Sequence, residues 1–312
     1  MGEFDLIEQY FKRAARRAVL GVGDDCALLQ PAAGMQLAIS SDMLVEGRHF
    51  FPDVDPAALG HKALAVNLSD LAACGAKPLA FTLALALPAV DKHWLQGFSQ
   101  GLLALADAHG CELVGGDTTR GPLNICITVF GEVPAGQALL RSGAKAGDDI
   151  YVSGTLGDAR LALEALRGKL FLNPTALAAA RLRLERPEPR VALGQALRGI
   201  ATSAIDISDG LIGDLGHILK ASGVGASIDT TATLPLMMAA EKKLDYVLSG
   251  GDDYELAFTA TPAARQAVQA AATQAGTAVT RIGRIEALPG LQLVDAQSQP
   301  VTGAFPSFDH FS

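Results

Sequence analysis

Ser203-Ala204-Ile205-Asp206-Ile207-Ser208-Asp209-Gly210-Leu211 decides the fold class. Its first five residues read as a short strand with β-branched side chains. Ser-Asp-Gly then breaks the strand, and Leu211, Leu215, Ile218 and Leu219 recur on one face of a helix. A strand that feeds a helix through a polar turn is the building unit of an α/β protein. Upstream, Ile150–Ser153 predicts a strand, followed by the turn Gly154-Thr155-Leu156-Gly157 and a helix, with a further helix over 175–186. Downstream, strands are expected near Ser227 and over Tyr254–Thr259 and Thr280–Ile285, alternating with helices.

The N-terminal half has the same mixed grammar. Phe4, Ile7, Phe11 and Ala14/Ala15 predict an amphipathic helix over 4–18. A strand is expected at Leu37–Ser40, ending in Ser40-Ser41-Asp42. Asp55-Pro56 starts a helix that runs to about Cys74, with Gly75 as its stop. Phe81–Leu87 reads as a strand, 91–109 as a helix, 115–122 as a loop and Asn124–Val133 as a strand. Both halves mix strands and helices, so the class is α/β with α+β character in two domains. The Gly- and Ala-rich stretch Pro134–Asp149 places the boundary, giving domains 1–140 and 141–312.

Composition excludes several functions. The chain has 312 residues, 49% hydrophobic, enough for a packed core in two domains. Net charge is −8, with 33 acids against 25 bases, a field that repels nucleic acid and anionic lipid. The acidic N-terminus lacks the basic start of a secretory leader, and the longest apolar stretch, Pro78–Val90, is too short to span a bilayer. A cytoplasmic protein with no membrane or nucleic-acid partner is expected. Cys26, Cys74, Cys111 and Cys126 form no C-x-x-C pair and read as buried, reduced thiols. The histidines are scattered, and no G-x-S-x-G elbow marks a hydrolase.

The acids carry the functional signal. Asp24 and Asp25 follow Gly21-Val22-Gly23, Asp117 follows Gly115-Gly116, and Asp252 and Asp253 follow Gly250-Gly251. Asp42 ends a predicted strand, and Asp206 and Asp209 bracket Ser208. Glycine lets backbone approach a ligand closely, and oxygen donors on such turns suit a hard cation. Any one of these acids could equally be a turn residue, and Ser208 or Asp209 could simply cap the helix that follows. Asp70 lies in a nearly all-apolar helix, three residues from Asn67 and on the same face, so it is expected to be buried. It could ligate a metal or make a hydrogen bond to a neighbouring element. The turn after Ser153 could cradle a phosphate, but it is no P-loop, and a plain strand–helix turn is the simpler reading.

Several motifs together resemble the thiamine-monophosphate kinase family. They are Gly21-Val22-Gly23-Asp24-Asp25, Ser40-Ser41-Asp42-Met43-Leu44-Val45-Glu46-Gly47-Arg48-His49, Asn67-Leu68-Ser69-Asp70, Gly115-Gly116-Asp117-Thr118-Thr119, Arg141-Ser142-Gly143-Ala144, Ile205–Leu211 and Gly250-Gly251-Asp252-Asp253-Tyr254-Glu255-Leu256. The tail Phe308-Asp309-His310-Phe311 adds to them. The resemblance spans the chain. It implies a two-domain fold shared with aminoimidazole ribonucleotide synthetase and a homodimer built through N-terminal strands. It implies ATP-dependent conversion of thiamine monophosphate to thiamine diphosphate, the last step of making that cofactor.

The same resemblance implies several Mg²⁺ ions, held by Asp25, Ser40, Ser41, Asp42, Asp70, Asp117, Asp206 and Asp209, with Asp42, Asp117 and Asp209 central to catalysis. ATP would lie near Gly116, Asp117, Arg141 and Ser208, and thiamine monophosphate near His49, Asp252 and Phe308. The family commonly has Glu at position 252 and Gly at 307, where this chain has Asp252 and Ser307. Another ATP-using synthetase of this fold, or a nucleotide sensor, stays open at this level.

Overall fold

The computed structural model describes residues 2–23, 25–239, 242–303 and 305. The chain divides into two compact units, Met1–Leu71 with Ala76–Gly136, and Ala72–Gly75 with Gln137–Ser312.

In the first unit, β1 (Met35–Val45), β2 (Lys77–Leu87), β3 (Glu112–Arg120) and β4 (Asn124–Pro134) form one sheet in the order β1-β4-β2-β3. β4 runs antiparallel to β1 and β2, whereas β2 and β3 are parallel. A parallel step needs a crossover, and the Lys92–His109 helix supplies it. Asp91 caps that helix by accepting from the N–H groups of His93 and Trp94, and Gly110 ends it with φ 59°. On β4, buried Ile125, Ile127 and Val129 alternate with half-exposed Cys126, Thr128 and Phe130. One face therefore belongs to the core, and Leu71 of the Pro56–Ala73 helix reaches Gly131 on that side.

The Pro56–Ala73 and Lys92–His109 helices meet backbone to backbone. A Cβ on Gly60 would lie 2.0 Å from the Phe98 carbonyl oxygen, and one on Gly101 would lie 1.9 Å from that of Ala57. Around this crossing Leu59, Leu64, Leu95, Phe98 and Leu102 are essentially excluded from solvent.

Three local expectations are corrected. The N-terminal helix stops at Phe11, as a turn over Glu3–Leu6 and a π-turn over Ile7–Phe11, and Lys12 is extended. The cause is long-range: the Glu112 carboxylate accepts the N–H groups of Arg16, Arg17 and Ala18, which a helix would have spent internally. Burial raises the Glu112 pKa, but those three donors outweigh it and hold the carboxyl below its usual range. β1 continues through Asp42 to Val45, and residues 115–120 belong to β3. Asp42 and Asp117 thus stand in strands. Gly116 is needed for strand approach, since a Cβ there would lie 1.9 Å from the Leu83 carbonyl oxygen.

In the second unit, β5 (Asp149–Ser153), β6 (Ser203–Ile207), β7 (Gly225–Asp229), β8 (Glu255–Ala260), β9 (Val279–Glu286) and β10 (Gly290–Val294) follow the order β10-β7-β9-β5-β8-β6. Every residue of β5, β6 and β8 is buried. Ile150, Val152, Ile205 and Ile207 share a core with Leu211, Leu215 and Ile218 of the Leu211–Ser222 helix.

The thiols diverge from expectation as well. Only Cys111 is buried, which pushes its pKa up to about 12, while Cys26 is exposed and Cys74 and Cys126 are half-buried. Among the described residues no helix is long and apolar enough to cross a membrane.

The Gly60–Gly101 crossing leaves no room for a methyl group. Gly101→Ala is expected to lower unfolding stability by about 1–3 kcal/mol, read as a lower urea midpoint. An unchanged midpoint would show that the helices can separate without cost.

Candidate active site

In the first unit the donors gather where β1 passes the Pro56–Ala73 helix. Ser40 Oγ donates to Asp70 Oδ2 at 2.5 Å. The Asp42 N–H donates to Asn67 Oδ1 at 3.1 Å, and Asn67 Nδ2 donates to the Ala63 carbonyl at 3.0 Å. The i, i+3 spacing of Asn67 and Asp70 therefore presents two polar groups to β1 at residues 40 and 42, two apart and on one face. Asp70 is half-buried rather than buried, and its hydrogen bond runs to a strand. Ser41 faces the other way. Its hydroxyl donates to the Ile127 carbonyl at 3.1 Å and lies 3.0 Å from Thr128 Oγ1.

Asp117 sits apart from this group. Asp42, Ile127, Leu83 and Gly116 form one row across the sheet. Three strand spacings separate β1 from β3, about 14 Å. Asp25 is exposed, in a loop closed by the Leu20–Leu28 bridge. His49 follows β1 in a tight turn, where its Nδ1 accepts the Val45 N–H at 2.9 Å. Acceptance at Nδ1 places the ring proton on Nε2.

In the second unit, buried Asp206 stands within β6, which leads Ser208 and Asp209 into a turn before the Leu211–Ser222 helix. Neither Ser208 nor Asp209 caps that helix. Gly210 occupies the cap position without a side-chain bond, at φ 125° and ψ 145°, a region essentially reserved for glycine. The turn is closed instead by Asp214, whose Oδ2 accepts the N–H groups of Ser208, Asp209 and Gly210, each at 3.0 Å. Burial pushes the Asp214 pKa up to about 6; the three donors oppose that rise and the Asp209 charge adds to it.

The glycine-rich loop 250–254 braces the same turn. The Asp252 N–H donates to the Ser208 carbonyl and the Tyr254 N–H to the Ile207 carbonyl, both at 2.8 Å. Asp252 and Tyr254 take φ of 66° and 50°, the left-handed region that L-residues rarely adopt. A Cβ on Gly251 would lie 2.6 Å from the Ser208 carbonyl oxygen. Asp252 is thus brought beside Ser208 and Asp209. Arg141 is exposed, on a segment held by Ser222, whose hydroxyl accepts from Gly143 and Ala144 and donates to the Arg141 carbonyl.

The intervening acids of the motif turn inward. Asp253 is buried and accepts the Gly157 N–H through both oxygens, at 3.0 and 3.1 Å. Burial holds its pKa well above the carboxylate range. That bond fills the turn after β5 with an internal acid, so the turn is no phosphate cradle. Glu255, wholly buried, receives Ser153 Oγ, Arg183 and both arms of Arg190 at 2.6–2.7 Å. Gly154 lacks a side chain because a Cβ would lie 2.1 Å from Glu255 Oε1.

Among the described residues no group of three or more His, Cys, Asp or Glu gathers closely enough to hold a metal ion. The donors Ser40, Asp42 and Asp70 in one unit and Asp206 and Asp209 in the other are nevertheless all oxygens, the donor type that fits Mg²⁺. Ser307 and Phe308 lie outside the described residues. Asp214, Arg183 and Arg190 escaped the sequence motifs, and Asp253, expected as a turn acid facing a cation, points inward instead. For Asp214 the available signal was an acid in the first turn of a helix preceded by an uncapped Gly.

Residues 23–133 match the model for the AIR synthase related protein N-terminal domain, and residues 145–296 match that for its C-terminal domain. The thiamine-monophosphate kinase of Salmonella typhimurium is 50% identical over 322 aligned positions, covering 100% of this chain and 98% of that protein. The chain belongs to the thiamine-monophosphate kinase family. The crystal structure of that enzyme from Stenotrophomonas maltophilia K279a superposes with a TM-score of 0.84 at 44% identity, covering 93% of this chain and 94% of that one. AaThiL complexed with AMPPCP and TMP superposes with a TM-score of 0.78 at 29% identity, covering 90% and 89%. The mixed sheets and two AIR-synthase-type domains of this kinase agree with that assignment.

A pH signature follows from Asp253. Its folded pKa lies above the unfolded value, so the folded state binds the extra proton, and stability falls as pH rises from about 4 towards the folded pKa. Asp253→Asn, neutral throughout, should melt progressively higher relative to wild type as pH rises through that window. Parallel melting curves at every pH would show that Asp253 ionises as readily in the folded protein as in the unfolded one.

Proposed function

We propose that this chain transfers the γ-phosphoryl group of ATP in line to a phosphate oxygen of thiamine monophosphate, releasing ADP and thiamine diphosphate. The observation that carries the reading is the end-to-end match to thiamine-monophosphate kinases, one of them solved with AMPPCP and TMP. In the transfer, the bond between Pγ and the β–γ bridging oxygen breaks as the acceptor oxygen bonds Pγ. A phosphate monoester has its second pKa near ~6, so the acceptor is largely dianionic at neutral pH and needs no general base. The task left to the protein is to bring two polyanions together in line.

Residue roles follow from what each side chain can offer. Asp25, Ser40, Asp42, Asp70, Asp117, Asp206 and Asp209 supply oxygens for Mg²⁺, with Ser41 contributing through its backbone stretch, since its side chain lies on the opposite face. When bound, Mg²⁺ neutralises phosphate charge and aligns the reacting groups. Asp42, Asp117 and Asp209 are the acids on which the reaction most depends. Gly116 and Asp117, with Ser208 and the exposed Arg141, address the nucleotide, Arg141 through a two-pronged phosphate contact. His49 presents an N–H at Nε2, which suits an anionic acceptor phosphate. Asp252 complements the cationic thiamine ring, and Phe308 offers a face to it. The N-terminal domain, 1–140, would carry ATP, Mg²⁺ and dimerisation, and 141–312 would complete the site. A biosynthetic role of this kind suits the cytoplasm.

A homodimer is supported by the open face of the first unit's sheet. Leu37, Ile39 and Met43 alternate along β1 and are 43%, 60% and 52% exposed. Ile39 lies opposite half-exposed Phe130 of β4. Exposed apolar side chains on a sheet face, here interrupted by the Ser41–Thr128 pair, mark an interaction surface.

Two measurements test these readings. Purified protein given ATP, Mg²⁺ and thiamine monophosphate should form thiamine diphosphate one-for-one with ADP. Omitting Mg²⁺ or introducing Asp209→Asn should abolish product while the far-UV circular dichroism stays native. ADP without thiamine diphosphate would overturn the substrate, and wild-type turnover by Asp209→Asn would overturn that residue's role. Separately, Ile39→Asp should sediment as a monomer where wild type sediments as a dimer; a wild-type monomer at micromolar concentration would sink the dimer.

A further inference from the structure

The Ser208–Gly210 turn is over-determined. Three consecutive N–H groups converge on one oxygen of Asp214, at 3.0 Å each. The two carbonyls before Asp209, those of Ile207 and Ser208, are taken by the N–H groups of Tyr254 and Asp252. Gly210 cannot be exchanged without strain, since its φ is 125° and a Cβ would lie 2.9–3.1 Å from the Ser249 backbone. Asp214 itself is 3% exposed. Successive N–H groups pointing inward at a turn normally make a site for an external anion. Here the chain's own carboxylate fills it. This turn therefore cannot receive an ATP phosphate through its backbone, and what it shows to a ligand is the side chains of Ser208 and Asp209.

We propose that Asp214 is a positioning residue for phosphoryl transfer: by holding three successive N–H groups on one carboxylate oxygen, it fixes the turn that aims Asp209 and Ser208 at the metal-bound nucleotide. This rests on the assignment of Asp209 and Ser208 to that nucleotide. The bland alternative is a helix-start bond that stabilises the fold and nothing more. The two differ in consequence. A structural bond costs stability, and well below the melting temperature it leaves both turnover and cation affinity alone. A positioning bond changes the aim of Asp209 in a chain that is still folded, so cation affinity and kcat suffer while the KM for thiamine monophosphate does not.

The experiment compares full-length wild type, Asp214→Ala, Asp214→Asn, Asp214→Ser and Asp209→Asn at a temperature where circular dichroism shows each folded. Mn²⁺ binding in the presence of AMPPCP is read by electron paramagnetic resonance, and kcat and KM are read with Mg²⁺. Asp214→Ala should weaken Mn²⁺ binding and kcat by about 10–100-fold, the usual penalty for losing a group that orients a metal ligand. The KM for thiamine monophosphate should stay within about threefold, a factor worth well under 1 kcal/mol. Asp214→Asn keeps an acceptor oxygen of the same reach and should recover most of the loss, with Asp214→Ser between. Should Asp214→Ala fail to fold, the order Asn above Ser carries the test. Unchanged Mn²⁺ binding and kcat in the Asp214 variants beside an impaired Asp209→Asn would overturn the proposal alone, as would an Asn variant no better than Ala or Ser. Wild-type Mn²⁺ binding by Asp209→Asn would instead remove the Asp209 assignment, and the proposal with it.

Discussion

The constraint on which this structure depends is the satisfaction of buried turn N–H groups by the chain's own carboxylates. Asp214 does it for the turn at Ser208–Gly210 and Asp253 for the turn at Gly157, while Glu112 gathers the more exposed N–H groups of Arg16–Ala18. Each N–H left buried and unpaired would cost about 1–3 kcal/mol. A carboxylate that accepts such donors offsets part of its own loss of hydration through bonds stronger than neutral ones. The raised pKa values of Asp214 and Asp253 show that for these two the balance remains tilted towards burial.

This arrangement sorts the acids of each glycine-rich motif by direction. In the 250–255 segment, Asp253 and Glu255 turn inward, one to the Gly157 amide and one to Arg183 and Arg190. Asp252 remains half-exposed at the Ser208 turn, held there by a left-handed backbone. Strain of this kind persists only where neighbours over-determine the geometry, and the two carbonyl contacts to Ser208 and Ile207 do so. In the first unit the same division falls on a strand. Ser40 and Asp42 meet the Asn67–Asp70 helix face, while Ser41 bonds across the open face of the sheet.

Much of the fold was legible because its punctuation is local. Asp55-Pro56, Asp91 and Gly110 start and stop helices through their own side chains or dihedral angles. The strand-to-helix passage at Ser203–Leu211 is visible in its residue types. What failed was long-range. Gly116 before Asp117 reads as a loop, yet it is glycine because β2 approaches too closely for a Cβ. The helical pattern over 4–18 loses to Glu112, some 94–96 residues away in sequence. Among the candidate site acids, Asp117 and Asp252 follow glycines and Asp209 precedes one, so these were legible. Their anchors were not: Asp253 finds its partner 96 residues away, and Asp214 looks like any first-turn acid.

The central claim is that the Ser208–Gly210 turn is locked before any ligand arrives. Amide hydrogen exchange of the ligand-free protein, resolved at Ser208, Asp209 and Gly210, tests it most directly. The account predicts slow exchange at all three amides, comparable to the β6 strand and unchanged on adding Mg²⁺ and AMPPCP. Fast exchange that becomes slow only when the nucleotide binds would contradict it, because the turn would then be ordered by the ligand rather than by Asp214.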